Sequence, residues 1–234
     1  MLPDADDPQG YGKMWQGLNN RILEIFLDSI GGPQFHVMDK IAEKLRSHFK
    51  AVNCAIFWDI DGSDTLELIG SANLHWKDTG DKVVRITKSN AKGGGLSNWL
   101  ASIERPMHMD YAAIQKSGYS EGPDPDHLGG APRYSVMSVP LKKGDSCVGL
   151  IKCENKMNDQ SGVGPHLAFT PGESDVLEEL AVPVALVGRV RLQATAQKLD
   201  ALDLVVRTSG QKDWRQHFQL VLRETVRLLG RGAR

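Results

Sequence analysis

The sequence is short of cysteine, of apolar runs and of net charge. Its three cysteines, Cys54, Cys147 and Cys153, include no CxxC pair. An odd, sparse set excludes a disulfide scaffold and a cysteine-built zinc site, and makes reduced intracellular thiols the default. No stretch approaches the ~20 apolar residues that cross a bilayer. The opening MLPDADDPQG is acidic and turn-rich, without the basic region and apolar run of a secretory signal. The expectation is a cytoplasmic protein without a membrane partner. A formal net charge of −1 removes the bulk attraction that nucleic-acid binders rely on. The seven histidines show no HxxxH or HExxH spacing, so no metal site is predicted. GxSxG, P-loop and paired-carboxylate signatures are also missing, so no catalytic residue is assigned.

What remains is ordinary globular material. Hydrophobic residues make up 41% and charged residues 24% of 234 positions. That suits one large domain, or one domain with additional helices. Charge is uneven: residues 184–234 carry ten lysines and arginines against four acids. A solvated basic helix face accounts for this.

Residues 1–12 are expected to be disordered. MWQGLNNRILEIFLDSI has helical apolar spacing and stops at Gly31-Gly32-Pro33. FHVMDKIAEKLRSHF places Phe35, Met38, Ile41, Leu45 and Phe49 on one helix face. NCAIFWDI, TLELIGSANL and DKVVRIT read as three strands. GGGLSNWLASIERP is a glycine-led short helix, and MHMDY a brief strand. Residues 110–133, rich in glycine and proline, read as a long lid-like loop. YSVMSVPLKK and SCVGLIKCEN form a hairpin across KGD. A polar loop over 157–168 then leads into a long helix from TPGESD, with Pro183 inside it, and a last amphipathic segment follows. Consecutive strands with short connections imply an α+β fold. Its antiparallel sheet has about six strands, with the N- and C-terminal helices on one face.

The hairpin and its sequel, SVMSVPLKKGDSCVGLIKCENK…F…E, resemble the C-terminal half of a GAF domain. The likeness covers roughly residues 33–190 and implies a GAF/PAS-like architecture. The N-K followed by F-x-x-x-E resembles the regulatory GAF domains of cyclic-nucleotide phosphodiesterases and cyclases. Asn155, Lys156, Phe169 and Glu173 carry that motif; Glu173 stands where the motif has Asp, and Ser174 where it has Glu. Two duties compete for Glu173. It can pair with Lys156 across the loop, or complete a capping box with Thr170 ahead of Pro171. The domain plan is a GAF domain over 13–190, followed by C-terminal signalling helices over 191–234 that open a second module.

The resemblance implies a small-molecule ligand, with a cyclic nucleotide as the first class, lined by Trp76, Trp99, Met109, Asp110, Tyr111, Ser135 and Ser138. It implies a non-enzymatic sensor acting on an output domain in the same chain. The apolar positions 184, 187, 190, 199, 202, 205 and 206 suggest a homodimer through paired helices. Two alternatives stand beside this. One is a ligand-free dimerisation domain. The other is a thiol enzyme like the GAF-fold free methionine sulfoxide reductases, for which Cys147 and Cys153 would share one strand face and Cys54 would approach one of them. His108 is the histidine a haem- or iron-binding sensor would use, a role weighed below ordinary surface duty.

Overall fold

The computed structural model describes residues 37–60, 62–73, 84–91, 95–119 and 132–208, with side chains described to residue 190. It also describes helical positions 17, 20, 22, 24 and 25 in the preceding segment. Trp76, residues 1–12 and the last amphipathic segment lie outside the described residues.

The elements run in the order α1 (Val37–His48), β1 (Ala51–Trp58), β2 (Thr65–Asn73), β3 (Arg85–Thr87), α2 (Leu96–Ile103), β4 (Met107–Met109), α3 (Tyr111–Ser117), β5 (Val136–Lys143), β6 (Ser146–Lys156) and α4 (Pro171–Thr208). The strands form one six-stranded sheet in the order β3-β2-β1-β6-β5-β4. Every neighbouring pair is antiparallel. The fold is α+β, as the succession of strands implies.

Both faces of the sheet are covered. On one, Met38, Ile41 and Leu45 of α1 and Leu177, Leu180 and Val184 of α4 pack over Cys54, Ile56, Val139, Ile151 and Cys153. Ile22 of the preceding helical segment joins this core. On the other, Leu96 and Leu100 of α2, Met109 and Ile114 of α3 cover Ala55, Phe57, Val136 and Leu150. A strand sends alternate side chains to opposite faces, and β1 and β6 are buried on both, so they lack polar alternation.

Two glycines set how closely the terminal helices approach. A Cβ on Gly70 of β2 would lie 2.6 Å from the Met38 backbone, so α1 rests directly on that strand. A Cβ on Gly188 of α4 would lie 2.6 Å from the Trp58 ring.

Three sequence expectations are corrected. The lid-like loop from residue 110 begins with helix α3. The Asp110 carboxylate caps it by accepting from Ala113 N at 2.7 Å, Ile114 anchors it, and Gly118 at φ 75° ends it. Residues 120–131 of that loop lie outside the described residues. Cys147 does not share the face of Cys153. The β5–β6 register shifts between Leu141 and Lys142, and past this bulge Val148 packs on the Cys153 side. Val184 and Val187, taken as part of a dimer seam, are buried in their own domain. Among the described residues, the large apolar side chains that α4 exposes are Val182, Leu186 and Val190.

Candidate ligand-binding face

Glycine-led helix α2 lies over the middle of the sheet, and beneath it the central strands carry charge. On β6, Leu150, Lys152 and Glu154 alternate with Ile151 and Cys153, which face the terminal helices. Lys152 is fully buried. Its Nζ donates to the Ser97 hydroxyl at 2.5 Å and lies 3.2 Å from Glu154 Oε1. Arg133, just ahead of β5, donates from Nε to Glu154 Oε1 at 2.5 Å. Asn53, opposite Glu154 in the β1–β6 register, donates from Nδ2 to Glu154 Oε2 at 2.9 Å. Taking such ions from water costs several kcal/mol each before their mutual attraction is counted. A sheet built for stability alone would carry apolar side chains here.

Ser138 Oγ and Asn53 Oδ1 are buried at this face without a hydrogen-bond partner among the described residues. Ser138 lies directly opposite Lys152, and Asn53 opposite Glu154. One lone pair or hydroxyl is therefore left over on either side of the charged pair.

The residues predicted from the sequence divide around this centre. Ser138 is part of it. Met109 and the half-buried Trp99 belong to the apolar cluster above it, where Trp99 stacks on Tyr119 with centroids 4.7 Å apart and planes 13° apart. Ser135 is buried but occupied: its hydroxyl accepts from Lys156 N at 2.9 Å, and its carbonyl from Asn155 N at 2.8 Å. Asp110 is exposed and engaged as the α3 cap. Tyr111 is 37% exposed and leans on Tyr134 at 5.7 Å. The sequence reading missed Lys152, Glu154, Arg133, Asn53 and Ser97. The available signal was a lysine and a glutamate two residues apart inside an otherwise apolar strand.

The motif at the end of β6 sits on the other face. Asn155 has φ 56°, in the left-handed region that Asn tolerates better than most residues. That residue breaks the alternation, so Lys156 faces the terminal helices although Glu154, two residues earlier, faces α2. Lys156 Nζ donates to the Phe49 carbonyl at 2.8 Å and to Glu173 Oε1, and sits 5.5 Å from the Phe169 ring centroid. Asn155 Oδ1 accepts from Tyr134 N at 2.7 Å, and its Nδ2 donates to the Pro132 carbonyl at 3.1 Å. Both duties weighed for Glu173 are present. Its second oxygen accepts from Thr170 N at 2.9 Å, while Glu173 N donates to Thr170 Oγ1 at 3.2 Å, completing the capping box. The latch therefore ties β6 to the end of α1 and the start of α4, and does not line the α2 face.

The thiols are all buried. Cys54 lies directly opposite Cys153. A hydrogen bond between the two thiols, together with burial, pushes the Cys54 thiol well above its usual range. Burial also raises Cys147. His108 is exposed on β4. Among the described residues no group of three His, Cys, Asp or Glu could hold a metal, and no helix is long and apolar enough to cross a membrane.

A single antiparallel sheet, helices on both faces and a polar patch buried under a short helix define the class: an α+β domain with a buried polar centre. The family model for the GAF domain matches residues 36–187. The chain belongs to the GAF family, a sensor and regulatory fold. Similar solved structures include the GAF domain from a phosphoenolpyruvate-protein phosphotransferase of Coxiella burnetii, at 16% identity and TM-score 0.55 over 77% of this chain and 98% of that one. The GAF domain of the Acinetobacter phosphoenolpyruvate-protein phosphotransferase matches at 18% and 0.53 over 74% and 92%. Free methionine-R-sulfoxide reductase from Neisseria meningitidis, solved with its substrate, matches at 18% and 0.50 over 84% and 97%. A comparison with curated proteins finds no match.

Proposed function

We propose that the chain is a non-enzymatic regulatory GAF domain that binds a small molecule at the sheet face under α2. It passes the signal through α4 to an output domain in the same chain. The observation that carries this is the polar centre of Lys152, Glu154, Asn53 and Ser138 in the middle of an otherwise apolar sheet face. Buried charge is costly and cores avoid it, so its placement here favours recognition over packing. A cyclic nucleotide is the first ligand class to test, because Asn155-Lys156 and Phe169…Glu173 resemble the phosphodiesterase and cyclase motif.

The length of α4 supports transmission through a homodimer. Its 38 residues span about 57 Å at 1.5 Å per residue. The longest strand, β6 with 11 residues, spans about 37 Å. The far end of α4 therefore outruns the sheet, and Val182, Leu186 and Val190 face outward before it does so. A second copy of this helix is the partner that fits. A thermal-shift screen with cyclic AMP, cyclic GMP and a panel of metabolites tests the reading. A rise of several degrees with one member is the expected result, since ligand at 100 times its Kd adds about 2.7 kcal/mol.

One observation favours a second reading. Glu154 already bonds to Arg133 and Asn53, and Lys152 to Ser97. A self-bonded cluster of this kind suits a ligand-free dimerisation domain, which would give no shift with any compound while remaining a dimer. For the thiol-enzyme alternative, buried cysteines with upward-shifted thiols are poor nucleophiles. A Cys54→Ser, Cys147→Ser, Cys153→Ser protein that keeps its ligand response and quaternary state removes that alternative.

A further inference from the structure

We infer that Cys54 and Cys153 are a thiol pair built to close into a disulfide across the two central strands when a hydroperoxide reaches them. Strand register sets their placement. Asp59 N donates to the Val148 carbonyl at 2.8 Å, which makes those two a hydrogen-bonded pair. Hydrogen-bonded and non-hydrogen-bonded pairs alternate along an antiparallel ladder. The β1–β6 register runs without a shift from Trp58 opposite Gly149 back to Cys54 opposite Cys153. An odd number of steps separates Asp59 from Cys54, so the cysteines form a non-hydrogen-bonded pair. The other side of β6 agrees. Asn155 N donates to the Ser135 carbonyl at 2.8 Å, so two residues back the Cys153 backbone bonds to Met137 of β5 and not to β1. Opposed residues of the non-hydrogen-bonded kind have Cα atoms about 4.5 Å apart. That lies inside the span of about 4.4–6.8 Å that a disulfide bridges. Both side chains are wholly buried in the core under α1 and α4, and their sulfurs interact directly. No third thiol competes, because Cys147 lies past the β5–β6 bulge and donates to the Gly149 carbonyl at 3.3 Å.

Burial also sets when the pair reacts. The thiolate is the attacking form, and an apolar setting disfavours it. The closed domain therefore protects the thiols, and oxidation waits for α1 and α4 to part from the sheet. In the first step one thiolate attacks a peroxide oxygen and the O–O bond breaks. A sulfenic acid forms, and the leaving oxygen takes the thiol's proton to become an alcohol or water. In the second step the other thiol attacks the sulfenic sulfur, the S–S bond forms and water leaves. The two thiols lose two electrons and one hydroperoxide gains them. The bond sits one residue from Asn53 and Glu154 and closes a loop of about 100 residues. A cross-link over so long a loop removes much of the unfolded chain's freedom. The oxidised domain is thus the more stable form, with β1 and β6 fixed to each other beside the polar centre.

The experiment exposes the full chain, carrying Cys147→Ser, to hydrogen peroxide without denaturant. Remaining thiols are then alkylated in denaturant. The protein is read by intact mass, peptide mapping and thermal unfolding, with and without dithiothreitol. The expected result is a chain that takes up no alkylating agent and yields a cross-linked peptide joining Cys54 to Cys153. Its unfolding midpoint should rise by about 5 °C or more, and dithiothreitol should reverse each change. Adding Cys54→Ala or Cys153→Ala should leave one thiol free and abolish the rise. If either variant fails to fold, the cross-linked peptide and the midpoint of the Cys147→Ser protein decide alone. Two thiols that stay open to alkylation after peroxide overturn the inference. Oxidation to sulfinic acid, a disulfide between chains, or a Cys54–Cys153 bond that leaves the midpoint unchanged overturns it as well.

Discussion

Asn155 decides which way two neighbouring charges face. Its left-handed backbone sends Lys156 to the terminal helices, while Glu154 stays under α2. An L-residue with a Cβ pays about 1–2 kcal/mol in that conformation, and Asn offsets part of it through its two side-chain bonds. Asn155→Ala should cost about 2–4 kcal/mol in urea unfolding, the sum of strain and lost bonds. Asn155→Gly should recover about 1 kcal/mol of that, because only the strain is relieved. His48 is the residue whose charge state matters most near neutrality. Burial depresses its pKa, opposed by Glu173 and assisted by Lys156. A depressed histidine gives stability that is fully present above the unfolded value of about 6.5 and is lost as pH falls towards the lower folded value. Unfolding midpoints should therefore drop between pH 7.5 and 5.5, and His48→Gln should flatten that part of the profile.

At the scale of elements, close packing of helix on strand is the sensitive feature. Gly70→Ala would drive a Cβ into the Met38 backbone, which cannot swing aside as a side chain can. The expected loss is at least about 1–3 kcal/mol by thermal or urea unfolding. Most elements were legible in the sequence because their periodicity was unambiguous. Met38, Ile41, Leu45 and Phe49 kept helical spacing, and all four are buried. Helix α3 was hidden because it is two turns long and buries one apolar residue fully, Ile114. Its signals were Asp110 at the cap and Gly118 at the end, both of which also read as loop residues. The polar centre was harder to see. Strand alternation shows that Lys152 and Glu154 share a face, but only the tertiary fold shows that α2 covers it. Likewise, Cys54 and Cys153 meet because of β1–β6 register, which no local pattern encodes.

For the whole molecule, the exposed stripe on α4 sets the quaternary expectation. Val182 is 73% and Leu186 53% exposed, one helical turn apart. Leu186→Lys should shift the protein towards monomer in sedimentation equilibrium while leaving the monomer's fold intact, since that side chain is exposed in the single chain. Unchanged dimer affinity would remove this face from the interface. The same variant should keep its thermal response to ligand if binding and dimerisation occupy opposite faces of the sheet.

The short interval between Glu154 and Lys156 has a mechanical consequence. Two residues of strand cover about 7 Å, and within that span one backbone grips the polar centre on one side and the root of α4 on the other. Strand β6 thus joins the polar centre and the base of α4 through one peptide segment, with Asn155 between them and no side chain of the hydrophobic interior in the connection.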